Sequence, residues 1–182
     1  MTRQVGWDRG IHLPEHGFWL DPLTVRSRAF VSHAHSDHAR RHRHAVMTAA
    51  TLALCPEPRR PRETLVLEPG VAASVAGGTV TLLDAGHMLG SAMLLFEHQG
   101  QRLLYSGDMK LRRGWGMPDT PVPKADVLIL ESTYGKPHFR FPETSSVVES
   151  VAHWCKRALD SRVTPVTVSY THLRAHETGR NL

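Results

Sequence analysis

One string constrains this chain more than any other. Ser32-His33-Ala34-His35-Ser36-Asp37-His38 is an HxHxDH pattern that follows directly on the strand-like run Ala29-Phe30-Val31. Residues two apart in an extended chain face the same way, so His33 and His35 can hold one metal ion together. A turn into a helix would swing Asp37 and His38 to one side, where they can hold a second ion. Imidazole and carboxylate donors suit borderline divalent metals such as zinc or manganese. The chain carries 13 histidines in 182 residues, and this string accounts for part of the surplus. His42 and His44, inside Arg40-Arg41-His42-Arg43-His44, read as solvated loop residues, and the arginines around them as a solvated helix face.

Two later segments place further donors at strand ends. Leu83-Asp84-Ala85-Gly86-His87 ends an apolar run on a histidine, and Tyr105-Ser106-Gly107-Asp108 ends another on an aspartate, beside a glycine that lets backbones approach closely. Together with His33 and His35 they offer three imidazoles for one ion and a carboxylate able to bridge to a second.

The elements between are short. GIHLP and GFWLDP flank a Pro-Glu-His-Gly turn, and residues 28–31, 64–67 and 72–83 read as strands, the last broken by a Gly77-Gly78 turn. Residues 92–97 and 102–106 flank a hairpin turn at His98-Gln99-Gly100-Gln101. Residues 108–124 are Gly/Pro-rich and basic, a loop. Residues 125–130 form a nearly continuous apolar run, expected as a strand buried on both faces. Val148, Val151, Cys155, Ala158 and Leu159 recur at helical spacing, with Thr144 or Ser145 as the cap. A further strand is expected from Val163.

With 41% apolar and 21% charged residues the composition supports a packed core. No apolar run approaches the roughly 20 residues of a membrane span, and the N-terminus lacks the apolar stretch of a signal peptide. Cys55 and Cys155 form no CxxC pair, which excludes a zinc ribbon and a disulfide scaffold and suits a reducing cytoplasm. The net charge of +5 leans toward anionic partners such as nucleic acid.

With these motifs in hand, the chain resembles the metallo-β-lactamase superfamily. His33, His35 and His87 match its first metal site, Asp37 and His38 its second, and Asp108 the bridging carboxylate. Asp21, in GFWLDP, matches an early aspartate that supports the site from behind. The string Glu131-Ser132-Thr133-Tyr134-Gly135 resembles the first signature of the β-CASP branch, whose members are nucleases acting on DNA or RNA. The continuation Lys136-Pro137-His138-Phe139-Arg140 is most similar to the bacterial ligase-associated exonuclease group, which in turn resembles messenger-RNA 3′-end processing factors.

The resemblance implies an α/β (α+β) fold, the αββα sandwich of the superfamily. It also implies two divalent ions, zinc or manganese, that activate water for attack on a phosphodiester. Asp37, Asp108 and Glu131 would be catalytic, Glu131 by orienting a later histidine that protonates the leaving oxygen. Lys110, Arg112, Arg113, Tyr134, Lys136 and Arg140 could line the mouth and contact substrate, with Trp115 and Phe139 as further stacking surfaces. DNA is favoured over RNA, and functional association with a DNA ligase follows from the subgroup. Other branches hydrolyse a thioester or a lactam, and a non-catalytic piece that binds metal or nucleic acid is the remaining alternative.

A complete β-CASP nuclease carries an inserted cap domain and the second half of the sandwich after this point. Residues 1–167 are therefore expected to be an incomplete metallo-β-lactamase domain, the N-terminal part only, with the cap missing by truncation and catalysis impaired. Residues 168–182, VSYTHLRAHETGRNL, break from the preceding pattern and read like a translated sequencing adapter, a non-native tail.

Overall fold

The structure, a computed structural model, describes residues 5–111 and 122–166. They divide into two compact units, Met1–Glu131 and Ser132–Leu182.

The first unit is built from two mixed sheets. One contains, in spatial and chain order, β1 (Gly6–Trp7), β2 (Ile11–Leu13), β3 (Phe18–Leu20), β4 (Arg28–Phe30), β5 (His44–Met47) and β6 (Glu63–Val66). The β1–β2 and β2–β3 pairs are antiparallel, and the β3–β4, β4–β5 and β5–β6 pairs parallel. The other sheet contains β7 (Ala72–Val75), β8 (Gly78–Asp84), β9 (Ala92–His98), β10 (Gln101–Tyr105) and β11 (Val127–Ile129). Its order is β11-β10-β9-β8-β7, antiparallel except for the β10–β11 pair.

Leu13, Phe18, Leu20, Phe30 and Val46 from the first sheet pack against Val80, Leu82, Leu94, Phe96, Leu103 and Tyr105 from the second. Phe30 meets Tyr105 edge-on at 6.2 Å between ring centroids. Helix α1 (Ala49–Leu54) lies on the outer side of the first sheet, where Leu52 packs on a cluster of Val31, Ala39, Ala45, Met47 and Cys55. These layers are consistent with the N-terminal part of the expected αββα sandwich. Thr48 caps α1, its hydroxyl oxygen accepting from the Thr51 N–H at 3.1 Å.

Several sequence expectations need correction. The β7–β8 turn is centred on Ala76 and Gly77, both at positive φ (53° and 79°), while Gly78 already belongs to β8. The primed turn needs two left-handed residues, so the pair slips one position earlier than glycine content suggests. The run 125–130 is not buried on both faces. β11 is an edge strand, and Leu128 and Leu130 are 55% and 53% exposed. No α-helix follows HxHxDH; a single turn closes over residues 36–38, the N–H groups of His38 and Ala39 donating to His35 O.

The second unit holds α2 (Thr144–Asp160), matching the apolar spacing. Its N-cap is Glu143, whose side chain makes no capping bond, so neither Thr144 nor Ser145 is the cap. Tyr134 packs edge-on against Phe139 and Phe141, with centroids 5.2 and 5.1 Å away. Residues 163–166 form no strand.

Candidate metal centre

Three loops leaving three strands of the first unit build the centre. His33 and His35 lie on the loop after β4, His87 on the loop after β8, and Asp108 on the loop after β10. One donor atom from each lies within 4.8 Å of every other. His33 Nε2 is 2.9 Å from His35 Nδ1, and His87 Nε2 is 3.4 Å from that same nitrogen. Asp108 Oδ2 is 3.8 Å from both His33 Nε2 and His87 Nε2. Donors around a tetrahedral zinc, with bonds of about 2.0–2.1 Å, sit about 3.3 Å apart. Three nitrogens and one oxygen at these separations fit a metal ion. His33 and His35 converge because the chain bends between them, and not by strand alternation, since β4 stops at Phe30.

Asp108 presents its other oxygen elsewhere. Oδ1 lies 3.6 Å from His38 Nε2, and that nitrogen is 3.8 Å from Asp37 Oδ2. The carboxylate thus stands between the three-histidine cluster and the Asp37–His38 pair.

The groups behind these donors fix their orientation. Asp21 is buried and sits at a left-handed φ of 42°. Its Oδ1 accepts from the Ser32 N–H at 2.8 Å, and its Oδ2 accepts from both His38 Nδ1 and the Tyr105 hydroxyl at 2.9 Å. A carboxylate can only accept, so His38 Nδ1 carries a proton, and Nε2, facing Asp108, is the nitrogen a metal would take in place of a proton. Ser32 Oγ is 2.9 Å from His33 Nδ1 and holds that ring in place by a hydrogen bond.

The loops are also tied to one another. Gly107 has φ 52°, and a Cβ there would come within 2.8 Å of Ser32 Cβ, so the backbone leading to Asp108 packs directly on the side chain beside His33. Ser91 Oγ accepts from the N–H groups of His87 and Met88 at 3.1 Å, closing the His87 loop. The Lys110 N–H donates to Ala85 O at 2.7 Å, joining the Asp108 and His87 loops. Glu131 accepts from the Met109 N–H through Oε1 at 3.1 Å, while its own N–H donates to Ser106 Oγ at 3.0 Å. It therefore braces the loop that carries Asp108. Sequence reasoning misses Ser32, Ser91, Tyr105 and Ser106: a serine near a histidine is commonplace, and the partners of Tyr105 and Ser106 lie 84 and 25 positions away.

Burial, with the neighbouring imidazoles of His38, His35 and His87 adding to it, holds His33 down at about 2, in the neutral form that ligates metal. His35 is lowered by burial and by His87. Burial opposes protonation of His38, but the Asp21 hydrogen bond and charge, with Asp108 and Asp37, raise it to about 9. Asp108 is raised, chiefly by burial. His42 departs from its reading as a solvated residue. It is fully buried, its Nδ1 accepts from the Arg26 N–H at 3.1 Å, and burial lowers it to about 4.

Of the residues expected at the mouth, Lys110 is exposed two positions after Asp108. Arg112, Arg113 and Trp115 lie outside the described residues, as does the segment 168–182. Tyr134, Lys136 and Arg140 belong to the second unit and are exposed there. No helix among the described residues is long and apolar enough to cross a membrane.

No protein-family model matches the chain. It is 37% identical over 181 residues to a "Probable DNA ligase" of Opitutus terrae, a match covering 97% of this chain and 18% of that protein. It is 46% identical over 56 residues to an "RNase J-like protein" of Methanocaldococcus jannaschii, covering 30% of this chain and 13% of that one. A "DNA cross-link repair protein pso2/snm1" of Schizosaccharomyces pombe is 33% identical over 106 residues, 54% of this chain and 19% of its own length. The chain thus spans less than a fifth of each of these relatives. Its two mixed sheets, its His/Asp donor cluster and these likenesses make it one of the metallo-β-lactamase/β-CASP-related proteins.

Proposed function

We propose that this chain supplies the metal-binding half of a nuclease that hydrolyses phosphodiester bonds with two divalent ions, zinc or manganese. The observation that carries the reading is the division of Asp108, with Oδ2 toward His33 and His87 and Oδ1 toward His38. A carboxylate shared in this way suits a pair of ions, held by His33, His35, His87 and Asp108 on one side and by Asp37, His38 and Asp108 on the other. Bound divalent ions lower the pKa of water toward neutrality and neutralise charge developing on a phosphoryl group. The protein's own groups orient the donors. Asp21 fixes the His38 ring, Ser32 the His33 ring, and Glu131 the backbone beside Asp108. Lys110, Arg112 and Arg113 in the first unit's sequence, and separately Tyr134, Lys136 and Arg140 in the second, are residue types that can contact phosphates and bases.

Substrate class rests on the relatives' names, which speak of ribonuclease and of DNA repair and ligation. DNA is favoured, because the ligase likeness runs along 97% of the chain. Cooperation with a DNA ligase and residence in a reducing compartment such as the cytoplasm complete the proposal. Cys55 and Cys155 are both free thiols, which suits that compartment.

Titration of the metal-free chain with zinc, followed calorimetrically, tests the reading together with turnover of a phosphodiester, a thioester and a lactam. The expected result is one tightly held ion, a second held more weakly, and slow hydrolysis of the phosphodiester alone, as suits an incomplete domain. His35→Ala removes the tight site, and Asp108→Asn weakens both. Phosphodiester turnover that survives both substitutions overturns the two-ion assignment.

A further inference from the structure

Arg43 and Arg62 precede β5 and β6 by one residue each, and backbone bonds already join the two strands there. The Arg62 N–H donates to His42 O and the Glu63 N–H to Arg43 O, both at 2.9 Å. The register that pairs His44 with Glu63 therefore sets Arg43 beside Arg62, on strands about 4.8 Å apart. Val46 faces the core between the sheets and Ala45 the outer cluster, so alternation puts both arginines on the outer side. Both are exposed, and so is Arg41 two residues earlier.

Other arginines of the same unit are engaged, whereas Arg9 and Arg59, like these three, make no side-chain bond among the described residues but stand apart from the β5–β6 ladder. Arg26 pairs with Asp8, Arg60 with Glu57 and Arg102 with Glu97, while Arg40 donates to the carbonyls of Leu23, Ser36 and Ala39. Among the described residues Arg41, Arg43 and Arg62 meet no carboxylate and no carbonyl. Neighbouring Glu63 is turned to the opposite face, where it pairs with His44 at 3.0 Å. Like charges held side by side on adjacent strands repel one another. A partner carrying regularly spaced negative charge removes that repulsion, and the guanidinium fork matches phosphate oxygens in particular.

We propose that Arg41, Arg43 and Arg62 form a phosphate-binding row that grips the sugar–phosphate backbone of a nucleic acid away from the metal centre. The inference deepens the nuclease reading and rests on it. The metal ligands leave the far end of β4, whereas the row stands at the entry of β5 and β6. About five residues of extended chain, roughly 15 Å, separate the two levels. The row therefore holds nucleotides flanking the reacting bond and supplies register and affinity, without sequence information.

The test is fluorescence anisotropy of the full 182-residue chain with a labelled single-stranded DNA, under EDTA and across a salt series. Each lost phosphate contact should reduce the slope of log affinity against log salt by about 0.7 for a single strand. The Arg43→Gln/Arg62→Gln variant should lose about 1.4 of slope and bind roughly tenfold more weakly at low salt. The Arg43→Lys/Arg62→Lys variant should keep most of the slope. An unchanged slope in the Gln variant, with its thermal midpoint intact, overturns the proposal. So does an arginine-dependent affinity for phosphatidylserine vesicles without one for DNA. His35→Ala serves as the reference for the nuclease reading. If the wild type binds DNA through the row yet holds no zinc that His35→Ala removes, the metal reading fails and the row stands.

Discussion

Tyr105 and His38 converge on one oxygen of Asp21, and that shared acceptor makes separable predictions for single residues. Tyr105→Phe removes one donor while leaving His38 aligned. It should cost about 1–2 kcal/mol in urea denaturation and change zinc affinity little. Asp21→Ala frees the His38 ring and should lower zinc affinity about 10- to 100-fold, read by competition with a chelator. His42 gives a pH signature. Its pKa is near 6.5 in the unfolded chain and about 4 when folded, so between those values the unfolded state binds more protons. Stability from this group is complete above 6.5 and is lost as pH falls toward 4. Denaturation at pH 7 and pH 5 should differ by about 2 kcal/mol more in the wild type than in His42→Gln. Reading His42 from the sequence fails because the Arg-His-Arg pattern advertises solvent. Tertiary packing, with the Arg26 N–H as partner, decides otherwise.

At the level of elements, the site depends on loops that touch by backbone. Gly107→Ala puts a methyl 2.8 Å from Ser32 Cβ at a left-handed φ. It should destabilise the fold by about 1–3 kcal/mol and weaken zinc binding at least as much as loss of a supporting carboxylate. Zinc titration of the variant beside its denaturation curve checks both. The donors could be read in sequence because each follows an apolar run that stops abruptly, at Val31, Leu83 and Tyr105. The hairpin between β9 and β10 was equally visible, since Gln99 and Gly100 supply the two left-handed residues its turn needs. What connects the loops was not visible. The contacts of Lys110 with Ala85 and Glu131 with Met109 follow from sheet order. β11 misled because apolar content alone does not distinguish an interior strand from an edge strand.

For the molecule as a whole, the core between the sheets and the metal centre act as one thermodynamic system. Leu94 is fully buried between the sheets, so Leu94→Ala should cost about 2–5 kcal/mol in chemical denaturation. An ion held by this cluster would bind the folded arrangement, since the donors come from positions 33 to 108 and gather only there. A hundredfold excess of free zinc over its dissociation constant should therefore add about 2.7 kcal/mol, and EDTA should remove it. In His35→Ala the same zinc should add far less.

The three ligand loops belong to strands in both sheets, and their most separated members lie 75 positions apart. No short peptide from this chain can reproduce the centre. During synthesis the HxHxDH string emerges long before its partners, and the brace from Glu131 arrives later still. Ion capture must then wait for contacts of high sequence separation, which form slowly because loop-closure entropy opposes them. A nascent chain paused before Asp108 would expose three histidines able to bind stray metal in the wrong geometry. The order in which these strands appear thus completes the donor set only once Asp108 has been made.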